Sequence, residues 1–407
     1  MTNSMQFLLS KIKGDRYIWF IVFALSVFSI LAVYSSTRSL AFSSQGGNTE
    51  YYLIKHTSIL FFGIFLMYLC HLIPYKYYSR ISQVLVFLSV PLLLYTLFFA
   101  ADVNDAARWI KLPVINLTFQ TSDLGRFALI MYTARMLSKK QDNIKSFKEA
   151  FVPIILPPVV ICALIFPENF STAAVLFFTC ILLMFIGRVN FKYISYTIAG
   201  GILLIGLIIV MSYAFPQVGR LGTWQSRMEN FVHGGGEEDY QVNQAKIAIA
   251  KGGILGVGPG NSTQKDFLPF AYSDFIFATI IEEYGMIGAL FLIFLYLALL
   301  YRSINIVKKA PSSFGALLAA GLGMSLTIQA LINMGVATHL LPTTGLTLPL
   351  VSMGGTSLWF TSISIGIILS VSREADLNEE KENSRNAMSE DDEENLETEI
   401  INEKKVA

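Results

Sequence analysis

The sequence predicts an all-α, polytopic membrane protein, and three observations carry that prediction. Hydrophobic residues fill 54% of 407 positions, charged residues only 14%, and the mean hydropathy is +0.55, too apolar for a soluble domain. The apolar residues gather in runs close to the roughly 18 to 20 residues that a helix needs to cross a bilayer. Lipid offers the backbone no hydrogen-bond partners, so such runs are read as helices, which satisfy their own amides.

About ten runs follow in order: Tyr17 to Ser36, Tyr52 to Leu72, Ile81 to Ala100, Asp123 to Leu137, Ala150 to Phe166, Thr172 to Gly187, Tyr193 to Phe215, Asp274 to Leu300, Phe314 to Val336 and Ser352 to Val371. The fourth is short and opens with Asp123 and Arg126, so its start is expected in a half-buried cavity rather than in lipid. The first is preceded by basic residues, but its length and the lack of a small-residue cleavage pattern favour a retained helix over a signal peptide. Cys70, Cys162 and Cys180 fall in or at the edge of apolar runs and read as core residues, with no disulfide or metal framework visible.

Lys and Arg distribution sets the orientation. With the N-terminus inside, 15 of the 25 basic residues before the tail fall in cytoplasmic segments, from Lys11, Lys13 and Arg16 to Arg302, Lys308 and Lys309. Both termini are therefore expected in the cytoplasm. One large extracytoplasmic loop, Pro216 to Ser273, then separates the seventh and eighth runs. Residues 1–372 read as the membrane domain and 373–407 as a disordered cytoplasmic tail, because the tail sets 13 acidic against 5 basic residues and has no apolar pattern.

Within the long loop, Tyr240 to Ala250 has helical apolar spacing and could lie on the membrane surface. The glycines from Gly252 to Gly260 would let the backbone approach a ligand and offer amides to anionic oxygens. Alone, that pattern reads first as a flexible linker. It is neither a P-loop nor a dinucleotide fingerprint.

The residue that stands out is Asp274, a carboxylate where this loop meets the eighth run. Moving an ion towards hydrocarbon costs at least about 2.5 to 3.5 kcal/mol, so such residues usually have a task or a partner. The bland alternative is a helix cap. Further polar islands lie at the same ends of the runs: Arg108-Trp109-Ile110, Gln120 to Arg126, Pro167 to Thr172, and Asn333 to Ser357. The prolines and glycines of the last predict a broken or re-entrant segment, tolerated in a membrane only beside a polar cavity.

These islands resemble the motifs of the SEDS family (shape, elongation, division and sporulation), the group of FtsW, RodA and SpoVE, over nearly all of the chain up to about Arg373. They include Arg108-Trp109-Ile110, the Gln120-x-Ser122-Asp123-Leu124-x-Arg126 run, Tyr240-Gln241, Ser273-Asp274-Phe275-Ile276-Phe277-Ala278 with Glu282-Glu283-x-Gly285, and the Leu341-Pro342 to Ser357 run. The Gly354-Gly355-Thr356-Ser357 ending looks closer to the FtsW branch than to RodA. The resemblance implies a peptidoglycan glycosyltransferase in the bacterial cytoplasmic (inner) membrane, expected at the division septum. It would polymerise lipid II beside a class B penicillin-binding transpeptidase and divisome proteins. Membrane lipids are implied contacts and nucleic acid is not.

The family's essential aspartate falls on Asp274. The chain departs from the usual pattern just before it, where Phe270 and Tyr272 stand in place of a common acid and histidine, which puts any neighbouring proton relay in doubt. Asp123, Arg126 and Thr121 replace a usual glutamate, lysine and proline, and Lys55-His56 replaces an Arg-Gln pair.

A carboxylate at a low-dielectric boundary suits proton uptake, so Asp274 is expected to deprotonate the acceptor sugar's 4-hydroxyl. Lys55, Arg108, Arg126 and Lys265 are candidates for the departing pyrophosphate, with Arg220 and Arg227 weaker. Gln241, Glu168 and Ser352 are candidate substrate contacts. No cofactor is evident; a divalent cation such as Mg or Mn could share the pyrophosphate, although no dedicated ligand cluster is visible. Of Glu282 and Glu283, one is expected to pair with a buried cation, a structural ion pair rather than chemistry. Rival readings are a lipid II flippase, which should carry ionisable groups near the midplane, a RodA-like elongation polymerase, and a non-catalytic scaffold.

Overall fold

The computed structural model describes residues 14–38, 40–41, 46–99, 109–112, 117–214, 222, 225–227, 229, 231 and 237–406. Side chains are described for these except 109, 111–112, 117–118, 237–239 and 385–406. The chain is predominantly helical, and seven helices among the described residues are long and apolar enough to cross a membrane.

Helix α1 (Arg16–Ser36) is capped by Asp15, whose carboxylate accepts from the amides of Tyr17 and Ile18. Asn48 caps α2 (Thr49–Leu72). A 3-10 turn leads into α3 (Tyr78–Phe99), and a π-helical turn, Phe147–Phe151, into α5 (Val152–Ile165). Between these lies α4 (Thr121–Lys139). Asn169 caps α6 (Phe170–Ile186), and α7 (Phe191–Ala214) follows. The long connection carries α8 (Glu237–Gly252); then come α9 (Ile276–Lys309), α10 (Ser313–Ala337), capped by Ser312, and α11 (Thr356–Val406). Each of the ten predicted runs is thus helical over most of its length, including α4, which carries Asp123, Arg126, Arg135 and Lys139.

Burial ranks the helices. α10 is central, with 72% of its apolar window buried against 6% for α7, of which only Ile194 and Ser212 are buried. Outward faces carry large apolar side chains such as Phe20, Phe61, Phe87 and Phe294, an arrangement suited to lipid rather than water. Close approach of helices relies on small residues. A Cβ on Gly366 of α11 would lie 2.4 Å from the Met67 carbonyl of α2, and one on Gly63 would lie 2.8 Å from Ser362 Oγ.

The structure corrects the sequence reading in two places. The chain is not purely α: Trp109–Leu112 (β1) pairs antiparallel with Leu117–Gln120 (β2), Trp109 opposite Gln120. Its β-branched and aromatic residues suit a strand pair, and Gln120 N donates to Thr356 Oγ1 at 3.2 Å, tying the hairpin to the start of α11. Nor does the helix end at Arg373. α11 continues as backbone helix to Val406, Arg373 Nη1 donates to the Leu72 carbonyl at 2.9 Å, and Lys309 pairs with Glu379 at 2.8 Å. The tail's Glu, Lys and Asn residues carry no breaker, so a helix already nucleated by the apolar stretch propagates through them.

Candidate active site

Asp274 lies half-buried one residue before the position that flanks α9, which is Phe275, and Phe275 provides no side-chain cap. The aspartate is therefore outside the usual capping position. Its main chain is held from two directions. Asn333 Nδ2, on α10, donates to the Asp274 carbonyl at 2.9 Å and to the Leu346 carbonyl at 2.7 Å. Ser352 Oγ donates to the Ser273 carbonyl at 2.6 Å, while Met353 N donates to the Tyr272 carbonyl at 2.9 Å. On the carboxylate itself, Oδ1 accepts from Ser273 Oγ at 2.9 Å.

Tyr272 stands beside the carboxylate. Burial first, then the charge of Asp274 and the nearby Tyr52, push the Tyr272 phenol above its ordinary range, so it stays a neutral hydrogen-bonding group at working pH. Tyr52 is one helical turn before Lys55 on α2. That spacing brings half-buried Lys55 to the same side of α2 as the Asp274 segment.

The broken segment expected after Asn333 is present. Residues 338–355 are non-helical and hang from buried side chains that satisfy their carbonyls. Gln329 Nε2 holds Thr347 O at 2.8 Å, Tyr296 OH holds Pro349 O at 2.5 Å, and Ser29 Oγ holds Val351 O at 2.9 Å. Ser29 also hydrogen-bonds His56 Nε2 at 2.7 Å. Gln329 accepts from Arg126 Nη1. Thus Gln329 and Asn333, one turn apart on α10, join Arg126 and Asp274 respectively to adjacent carbonyls of one segment.

The glycine run does not form an open anion cradle. Its amides and carbonyls pair with a break in α9 at Gly285, where φ is 67° and ψ −168°. Val257 N donates to Glu282 O at 2.9 Å and Gly258 N to Glu283 O at 3.0 Å; in return Met286 N donates to Gly253 O at 3.0 Å. Such pairing needs backbones to touch. A Cβ would lie 2.0 Å from Ile281 O at Gly252, 2.2 Å from Glu283 O at Gly256 and 2.3 Å from Ile254 O at Gly285. The glycines serve a helix kink, because its freed polar groups must be satisfied inside the protein. For the same reason α8 packs against α9 as well as presenting Tyr240 and Ile247 outward.

The predicted site residues divide. Asp274, Ser352 and Arg126 are joined by the contacts just described, with Arg126 also 3.5 Å from Asp123. Lys265 is buried, and its Nζ donates to Gly260 O at 2.7 Å and Ser35 Oγ at 3.1 Å. Ser35 in turn donates to Glu283. Ser35 thus stands between Lys265 and Glu283 in place of the direct ion pair expected for one of the glutamates, while the Glu282 carboxylate accepts from Ser262 and from Thr263 and Gln264 amides. Gln241 is half-buried on α8, and Glu168 is buried in the turn between α5 and α6. Arg108 and Arg220 lie outside the described residues. Among the described residues no group of three or more His, Cys, Asp or Glu side chains converges as metal ligands would. A cavity of about 10 Å³ beside Arg126, lined also by Ser325, Thr361 and Ser364, has room for about one water.

Sequence reading missed Asn333 and Gln329 as individual residues. The available signal was two amides four apart in an otherwise apolar helix, a spacing that puts both on one face.

The model of the FtsW/RodA/SpoVE family, described as cell cycle protein, matches residues 15–377. The chain belongs to this family. It is 34% identical over 378 residues to a Coxiella burnetii protein named "Probable peptidoglycan glycosyltransferase FtsW", covering 90% of this chain and 99% of that one. It is 33% identical over 366 residues to an Idiomarina loihiensis protein of the same name, covering 88% and 87%. Among solved structures, a chain of a peptidoglycan synthase complex shares the fold at a TM-score of 0.71 and 22% identity, over 89% of this chain and 98% of that one. Thermus thermophilus RodA, a rod shape determining protein, does so at 0.63 and 21%, over 89% and 97%. Membership places the FtsW/RodA/SpoVE motifs, including the Asp274 segment, inside the matched region.

Proposed function

We propose that this protein is a peptidoglycan glycosyltransferase that polymerises lipid II into glycan strands in the bacterial inner membrane. The observation that carries the reading is the half-buried carboxylate of Asp274, held through its main chain by Asn333 and Ser352 where the polar segments meet. Relatives bearing the FtsW name support a role in septal wall synthesis and cell division, beside a class B penicillin-binding transpeptidase and other divisome proteins. Ten spans, cytoplasmic termini, an external loop carrying α8, a membrane domain of 1–372 and a cytoplasmic extension of 373–407 complete the proposal.

In the reaction Asp274 accepts the proton of the acceptor 4-hydroxyl as that oxygen attacks the anomeric carbon of the donor. The bond to the lipid pyrophosphate breaks, and Lys55 and Arg108 offset the charge that develops on it, Arg126 adding positive potential. Lys265, turned onto Gly260 and Ser35, supports the loop instead. Gln241, Glu168 and Ser352 bound the substrate region. A divalent ion such as Mg or Mn would enter with the pyrophosphate rather than on resident ligands.

The test uses the purified chain with its cognate transpeptidase and labelled lipid II. Polymer from the native chain and none from Asp274→Ala is the expected result. Equal polymer from both removes the base, and no polymer from either, with lipid II crossing sealed vesicles, favours the flippase.

A further inference from the structure

We infer that Asn333 is a positioning residue for Asp274, an inference that rests on the reading of Asp274 as the base. Asn333 is 1% exposed. Its amide nitrogen spends its donors on two main-chain carbonyls, Asp274 O at 2.9 Å and Leu346 O at 2.7 Å. Its Oδ1 is also buried but has no hydrogen-bond partner. Burying that bare acceptor costs free energy, and the two donated bonds offset it by satisfying main-chain carbonyls that an apolar side chain would leave unmet. The residue is therefore explained by what its donors fix.

They fix the junction at the start of α9. Phe275 gives α9 no side-chain cap, and the turn before it carries Phe270 at φ 56°, a conformation that neighbouring contacts must maintain. Asn333 ties this junction to the broken segment at Leu346. Ser352 ties the preceding residue to the same segment from its other end. The carboxylate is thereby held at two successive peptide units, one of them through α10. Misplacing a catalytic group by about 1 Å can cost about 100-fold in rate, so loss of the α10 tie should appear in turnover rather than in substrate binding.

The experiment measures lipid II polymerisation by the full-length chain with its transpeptidase, across substrate concentrations, for Asn333→Leu, Asn333→Ala, Asp274→Asn and the Asn333→Leu/Asp274→Asn double variant. Asn333→Leu keeps the number and branching of the side-chain heavy atoms and removes both the donors and the bare acceptor. The expected result is kcat lowered about 10- to 100-fold with KM within about two-fold, at an assay temperature below the melting point of the variant, which falls because two main-chain carbonyls lose their donor. The double variant should be no slower than Asp274→Asn, because the positioned group is already gone. Native kcat in Asn333→Leu overturns the inference. So does a joint fall of kcat, affinity and melting temperature in Asn333→Leu and Asn333→Ala alike, which marks a merely structural residue. Native turnover by Asp274→Asn removes the base itself and is thereby distinguished from failure of the positioning role alone.

Discussion

Asn333 donates to the main-chain carbonyl of Asp274 at 2.9 Å, so the position of the candidate base is set in part by a helix that does not carry it. The same amide reaches Leu346, and Gln329, one turn earlier, links Arg126 with Thr347. The base and the buried arginine thus share one non-helical segment. Movement of that segment would be felt by both.

Asp274→Asn keeps the shape of the side chain and removes its ability to accept a proton. Polymerisation of labelled lipid II should fall about 10²- to 10⁴-fold, the usual range for a general base. Melting in detergent should stay close to the native value, because the main-chain carbonyls that accept from Asn333 and Ser352 are untouched and Asn keeps an Oδ1 to accept from Ser273 Oγ.

Ser352→Ala removes two hydrogen bonds at once, the one donated to Ser273 O at 2.6 Å and the one accepted from Leu348 N at 2.8 Å. Leaving these buried groups unmet should lower stability by about 1–3 kcal/mol. Activity should fall with it, and denaturant unfolding beside the polymerisation assay reads both.

Gly285→Ala places a Cβ 2.3 Å from Ile254 O at a φ of 67°. Backbone strain alone costs about 1–3 kcal/mol, and the clash adds to it by forcing the loop from the kink. The variant should express poorly or melt well below the native protein. A native melting curve would show that the loop and α9 do not pair this way.

Lys265→Met separates a structural lysine from a pyrophosphate ligand. Lys265 is bonded to Gly260 O and Ser35 Oγ inside the fold, and charged hydrogen bonds contribute about 1.5–3 kcal/mol. The expected outcome is a loss of stability of that order with KM for lipid II within about two-fold. A large rise in KM at native stability would return Lys265 to the substrate.

Much of the bundle was legible because hydrocarbon imposes a simple rule: an apolar run of sufficient length has little choice but to be a helix. The runs leading to α1, α2, α7, α9 and α10 needed no other information, and Asp274 stood out by the cost of a charge at such a boundary. The hairpin at Trp109 and the continuation of α11 past Arg373 were not legible. Short strands and polar helices are decided by their neighbours, here Thr356 for the hairpin and Leu72 and Lys309 for the tail.

By itself, then, the sequence determined a helical membrane protein of the FtsW/RodA/SpoVE type and marked Asp274 as the costly carboxylate at a helix boundary and so the candidate base. Tertiary structure decided how that carboxylate is held and what its neighbours do. Composition and spacing cannot say which carbonyl an amide will meet, because that depends on residues distant along the chain. Hence Asn333 became part of the site, Lys265 turned inward to the loop, and the glycines near Gly256 came to satisfy the broken turn of α9 at Gly285 rather than a ligand.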